Sequence, residues 1–145
     1  MNNVGGFGLK VTCIASQTFP VGLTLSQFAD DSDPFDNPAI PIHDSAMGLN
    51  GDLVYWKKAT PIKISLGIIP GSDDDINLKI LANVNRAGAG KQPVSDKINL
   101  IAIYPDGTKK ALFNGMLTDA PLMGSVSSSG KLKSSVYSFV FENVV

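Results

Sequence analysis

The chain has 145 residues, 43% of them hydrophobic and 17% charged, with a formal net charge of −1. A chain of that length buries a core of its own and needs no disulfide or metal to fold, and its single cysteine, Cys13, excludes an intrachain disulfide. The near-neutral balance gives no electrostatic case for nucleic-acid affinity and lets copies of the chain approach one another with little repulsion.

The start, MNNVGGFGLK, has neither the basic region nor the long apolar region of a signal peptide. No apolar run approaches the length of a bilayer span. The expectation is a protein made and assembled in a cytoplasm, with no membrane partner. Residues 1–8 are rich in Gly and Asn and read as a flexible arm. In residues 9–15, LKVTCIA, Leu9, Val11 and Cys13 alternate with Lys10 and Thr12, the period of a half-buried strand. Cys13 in that run reads as a small buried hydrophobe. Residues 21–28 alternate in the same way, with Leu23 and Leu25 opposite Thr24 and Ser26.

Residues 29–51 break the pattern. They hold five acids, three prolines and two glycines with little periodicity. Loops this long inside a domain are usually functional or disordered. Phe35, Ile40, Ile42, Met47 and Leu49 recur through the segment, which argues for order once those side chains have a surface to pack on.

Strand signals return in residues 52–57 and, most clearly, in residues 61–69, where Ile62, Ile64, Leu66 and Ile68 alternate with Lys63, Ser65 and Gly67. Pro70-Gly71-Ser72 then stops the strand. Ser72 or Asp73 caps a helix over about 73–87, and Asp73, Asp74 and Asp75 sit at its positive end. Ile76, Ile80, Leu81 and Val84 form its expected core face. Gly88 or Gly90 supplies a left-handed residue at its end. Residues 97–104 and 109–116 flank the turn Pro105-Asp106-Gly107-Thr108 and read as a hairpin. After a Gly/Ser-rich loop over 118–130, a last strand over 131–142 places Tyr137, Phe139 and Phe141 on one face. The fold class is mainly β (α+β): a single domain over 1–145 of two packed antiparallel sheets or a partly closed barrel, with one flanking helix.

Motifs of chemistry are missing. There is no phosphate-binding loop, dinucleotide fingerprint, zinc-ligand spacing or nucleophile elbow. One histidine, His43, and one glutamate, Glu142, leave little for acid–base work. The expectation is no enzyme, no cofactor and no resident metal. The run DDSDPFDNP at 30–38 allows three readings. As a Ca²⁺ site it fails the EF-hand pattern: counted from Asp31, Phe35 falls on a ligand position, and there is no glycine at the sixth place. As an exposed acidic turn it needs no partner. As a contact loop it offers Phe35 as an apolar anchor inside a charged rim stiffened by Pro34 and Pro38. The triple Asp at 73–75 is explained by the helix start, and the lysine pairs at 57–58 and 109–110, with Lys131 and Lys133, read as solvated positions or as partners for acidic loops on a neighbour.

Five stretches together, FADDSDPFDNP (28–38), MGLNGDLVYW (47–56), IIPGSDDDINLKILANVNRAGAGK (68–91), YPDGTKKALFNG (104–115) and GKLKSSVYSFVFENVV (130–145), resemble the tail-tube-like structural proteins of long-tailed bacteriophages. The resemblance implies a tail tube subunit or a baseplate-proximal ring. It implies two packed sheets and a helix, with six copies closing a hexameric ring whose rings stack into a tube. Its implied partners are other copies, the tape measure, and the sheath or baseplate, with DNA only a passenger in the lumen during ejection. The expected inter-subunit contacts are Asp30, Asp31, Asp33, Phe35, Asp36, Ile40, Ile42, Met47 and Leu49. A reading from another class is a monomeric β-sandwich binding module, holding Ca²⁺ through the Asp residues of 30–36. A small hydrolase using the Asp cluster is a third.

Overall fold

The structure is a computed structural model and describes residues 4–30 and 33–145. Period-two alternation builds its long strands. In β1 (Lys10–Ala15) Val11, Cys13 and Ala15 are fully buried. β2 (Phe19–Leu25) buries Leu25 and returns antiparallel to β1, with Cys13 opposite Leu23. Two short strands follow, β3 (Phe35–Asp36) and β4 (His43–Met47), then β5 (Leu53–Lys57) and β6 (Ile62–Ile68). β6 buries Ile64, Leu66 and Ile68, as its alternation predicts. After the helix α1 (Asp73–Asn85) come β7 (Ile98–Ile103), β8 (Lys109–Asp119) and β9 (Ser135–Val144). Tyr137, Phe139 and Phe141 of β9 are fully buried, and Ile98, Leu100 and Ala102 of β7 join them in one core.

Seven of the strands form one antiparallel sheet in the order β2-β1-β7-β8-β9-β6-β3, curled into a half-barrel. β4 and β5 form a separate two-stranded sheet. The fold is thus mainly β with two antiparallel sheets and one helix, and the two sheets are very unequal. The segment 29–51, expected as a single loop, holds β3 and β4. HDSAM at 43–47 has no alternation of its own and becomes a strand by pairing with LVYWK at 53–57, Met47 opposite Leu53 and His43 opposite Lys57. Of the expected arm, residues 1–3 lie outside the described residues; Val4 and Phe7 are almost wholly exposed.

The β7–β8 hairpin turns where expected. The Tyr104 N–H donates to the Thr108 carbonyl at 2.9 Å, the Thr108 N–H donates to Asp106 Oδ1 at 2.9 Å, and Gly107 takes φ of 91°. Further along β8 a bulge re-aims the strand, and Asn114 takes φ of 55°. Next to it Gly115 lets Phe141 lie against the backbone. A Cβ there would come within 2.2 Å of the Phe141 ring and 2.8 Å of the Val140 carbonyl.

Ser72 caps α1, accepting from the Asp75 N–H at 3.3 Å. The aspartates after it do more than meet the helix dipole. Asp74 Oδ2 accepts from the N–H groups of Ser26 and Gln27, each at 2.9 Å, just past β2. Asp75 is buried, and its carboxylate accepts from the Tyr137 hydroxyl at 2.7 Å, the Gly71 N–H at 3.0 Å and Lys79 Nζ at 3.1 Å. Burial alone would raise the Asp75 pKa; the hydrogen bonds from Tyr137, Gly71, Ser135 and Lys79 outweigh it and hold the carboxyl below the usual range. At the other end, Asn85 Nδ2 donates to Asp96 Oδ2 at 2.8 Å. Asp96 Oδ1 accepts from the Gln17 and Thr18 N–H groups in the β1–β2 turn.

These anchors set the roll of the helix and correct its expected core face. Leu81 is buried as expected and Val84 is partly buried, but Ile76 and Ile80 are 51% and 46% exposed. The inward side carries Asp74, Asp75, Leu78, Leu81 and Ala82, with Asn85 beneath them. Its C-terminus also differs from expectation: Arg86 ends the helix with an extended φ of −78° rather than a left-handed glycine.

Candidate assembly surface

The β4–β5 hairpin stands apart from the core. Its turn is closed by the Gly48 N–H donating to the Asp52 carbonyl at 2.7 Å, with Gly51 at φ of 90°. Of its ten strand residues only Asp44 is partly buried; the others are exposed. Residues paired across an antiparallel ladder share a face. Met47, Leu53 and Tyr55 therefore lie on one side, with His43 edge-on to Tyr55 at 5.7 Å, and Val54, Trp56 and Ala46 on the other. Both faces are apolar and both meet solvent. Leu49 at the tip is fully exposed. An isolated two-stranded ribbon is marginal in water, and exposed apolar patches of this kind are a common feature of interaction sites.

The Asp-rich run divides differently from expectation. Asp31 lies outside the described residues. Asp30, Asp33 and Asp36 are exposed. Phe35, expected as a free anchor, pairs with Leu66 of β6, packs against the core and meets Tyr104 edge-on at 6.2 Å. Its ring serves its own domain, because β3 adds to the sheet edge and carries the ring inward. Ile40 is partly buried, while Ile42, Met47 and Leu49 are exposed on or beside the hairpin. Leu53, Val54, Tyr55 and Trp56 extend that surface and were not anticipated. The signal was present: four apolar residues in a row at a strand without alternation have no polar face to give to solvent. Among the described residues no group of three or more His, Cys, Asp or Glu side chains is placed to hold a metal ion.

Asn37–Ile40 line one wall of an apolar cavity of about 390 Å³, and β6, β7, β8 and β9 supply the rest through Ile62, Ile64, Ala102, Leu112 and Val144. Phe35 of β3, Tyr104 and Lys110 complete the lining.

A family model described as "Tail fiber protein gp32" matches residues 2–145, nearly the whole chain. The chain belongs to this family. It is accordingly a structural protein of the phage tail, a component of the virion. No curated protein matches the sequence. Membership in the gp32 family suits a surface built of exposed apolar strands, since tail proteins work by joining other tail components. No helix among the described residues is long and apolar enough to cross a membrane.

Proposed function

We propose that the protein is a subunit of a phage tail tube or of the ring on which the tube starts, self-assembling into hexameric rings that stack around a channel for DNA. The observation that carries this reading is the β4–β5 hairpin, whose apolar side chains Met47, Leu53 and Tyr55 on one face and Val54 and Trp56 on the other stay exposed among the described residues. The sheet supports it. β2 lies at one end with Val21 almost wholly exposed, and at the other end β3 with residues 27–29 and Pro34 pairs with β6 from Ser65 onward, so that among the described residues its first half, Ile62–Ile64, is unpaired on that side. Bare edges invite strands from other chains, and lateral joining of β2 to the β6 end would remove both. The hairpin then serves contacts between rings. The role is structural, without catalysis; the tape measure and the sheath or baseplate are further partners, and DNA passes without being gripped by a chain of net charge −1. Tubes and fibres differ in stoichiometry, which gives the test. Light scattering on the protein over a range of concentrations should give masses in steps of six protomers. A trimer as the sole assembled species would replace the tube reading with a fibre.

A further inference from the structure

We propose that Asn50, in the turn between β4 and β5, is a site of spontaneous covalent modification, where the side-chain amide is lost and the residue becomes aspartate or isoaspartate. The chain contains two Asn-Gly pairs, Asn50-Gly51 and Asn114-Gly115. A glycine after asparagine leaves the next amide nitrogen without a side chain to shield it and the backbone free to turn toward the attack. The two pairs are chemically alike, and the fold places them in opposite surroundings.

Asn50 and Gly51 are both exposed. A Cβ at Gly51 would meet nothing within 4 Å, so a ring closing there has room. The Gly51 N–H donates to the Gly48 carbonyl at 3.0 Å, a bond at the end of an exposed two-stranded ribbon that opens at little cost. Asn114-Gly115 instead lies inside β8, between two neighbouring strands. Gly115 is buried and pairs with Ile98 on one side and Phe141 on the other, while the Asn114 N–H donates to Asn99 Oδ1 at 3.2 Å. The Phe141 ring occupies the space where a Cβ of Gly115 would stand. Closing a ring on the Gly115 nitrogen would pull the strand away from both neighbours.

The step balances with water as the co-reactant. The Gly51 backbone nitrogen gives its proton to hydroxide and attacks Cγ of Asn50. The new N–Cγ bond forms, the Cγ–Nδ2 bond breaks, and Nδ2 takes a proton from water and leaves as ammonia. Water then opens the cyclic imide at either carbonyl, giving aspartate or isoaspartate. Both products add a negative charge near Asp52. Isoaspartate also routes the main chain through the side-chain carbon and lengthens the turn that the Gly48–Asp52 hydrogen bond closes.

The test is peptide mapping by mass spectrometry of the full chain, incubated in dilute solution at mildly alkaline pH, with a second sample unfolded in urea. In urea the two sites should convert at similar rates, because both are Asn-Gly. In the folded chain Asn50 should convert at least tenfold faster than Asn114, the rate should rise with pH, and isoaspartate should appear beside aspartate in the hairpin peptide. Asn50→Gln should abolish that conversion and leave the slow one at Asn114 unchanged. Equal rates at the two sites in the folded chain would overturn the proposal. So would an Asn50 that converts only in urea, because the turn would then protect it as well as β8 protects Asn114.

Discussion

Substituting Val54→Ser and Trp56→Ser together strips one face of the hairpin, because residues two apart on a strand point the same way. Trp56 is 49% exposed and Val54 54% exposed. An aromatic side chain buries about 150–250 Å² when enclosed, so roughly 100 Å² of Trp56 remains for a partner to cover. At about 25 cal/mol per Å² that is about 2.5 kcal/mol. Half of a valine adds about 0.8 kcal/mol on the same scale. The sum, about 3 kcal/mol, is an upper bound because ordering at an interface offsets part of it. At about 1.4 kcal/mol per decade, the concentration at which the protein assembles should rise by about two decades. The domain itself should keep its stability, since the hairpin lies outside the seven-stranded sheet. Light scattering over a dilution series reads the first quantity and thermal unfolding of dilute monomer reads the second. Assembly at the wild-type concentration by a folded double variant would refute the reasoning. A variant that assembles poorly and also melts far below wild type would show that the hairpin belongs to the core.

Other expectations concern the fold that presents the hairpin. Gly115→Ala forces a methyl group against the Phe141 ring and should cost about 1–3 kcal/mol in urea unfolding; an unchanged midpoint would mean that β8 and β9 separate easily. Tyr137→Phe removes the hydroxyl donated to buried Asp75 and should cost about 2 kcal/mol, the scale of a hydrogen bond to a charged group. Asp75 and Asp96 both have folded pKa values below their ordinary 3.8, burial being outweighed by hydrogen bonds, from Tyr137 first for Asp75 and from Thr18 first for Asp96. The unfolded chain therefore binds protons first. The stability they supply is complete above about pH 4 and is lost as pH falls through their folded values. Asp75→Asn should flatten that acid limb, and an identical limb in the variant would assign it to other groups. Cys13, with its thiol pushed up to about 12 by burial and by the nearby Asp96 charge, should resist thiol reagents at pH 8 until the protein unfolds.

Much of the fold is written in short-range pattern. β1, β6, β7 and β9 each alternate, and a side chain's place in the alternation decides whether Ile64 or Lys63 faces the core. Ser72 and the acids after it mark the start of α1 for a local reason, the free N–H groups of the first turn. What was illegible depends on partners far away in the chain. The inward roll of α1 is fixed by Asp74 reaching residues 26 and 27 and by Asp75 reaching Tyr137, 62 positions on. Counting hydrophobes alone therefore selected Ile76 and Ile80. β4 has the composition of a loop and owes its conformation to β5. Phe35 sits in an acidic, proline-broken run that looks solvent-facing, yet two residues of strand pairing carry its ring inward. Of the residues expected at inter-subunit contacts, Ile42, Met47 and Leu49 are exposed on or beside the hairpin of 43–57, whereas Phe35 packs against the core. Leu53 to Trp56 read as an ordinary strand, although four apolar residues in a row without a polar face already set them apart.

The most direct test of the tube reading is electron microscopy of the purified protein over a range of concentrations. The account predicts six-fold rings at intermediate concentration and hollow tubes at high concentration. Monomers throughout, or solid threads without a channel, would contradict it.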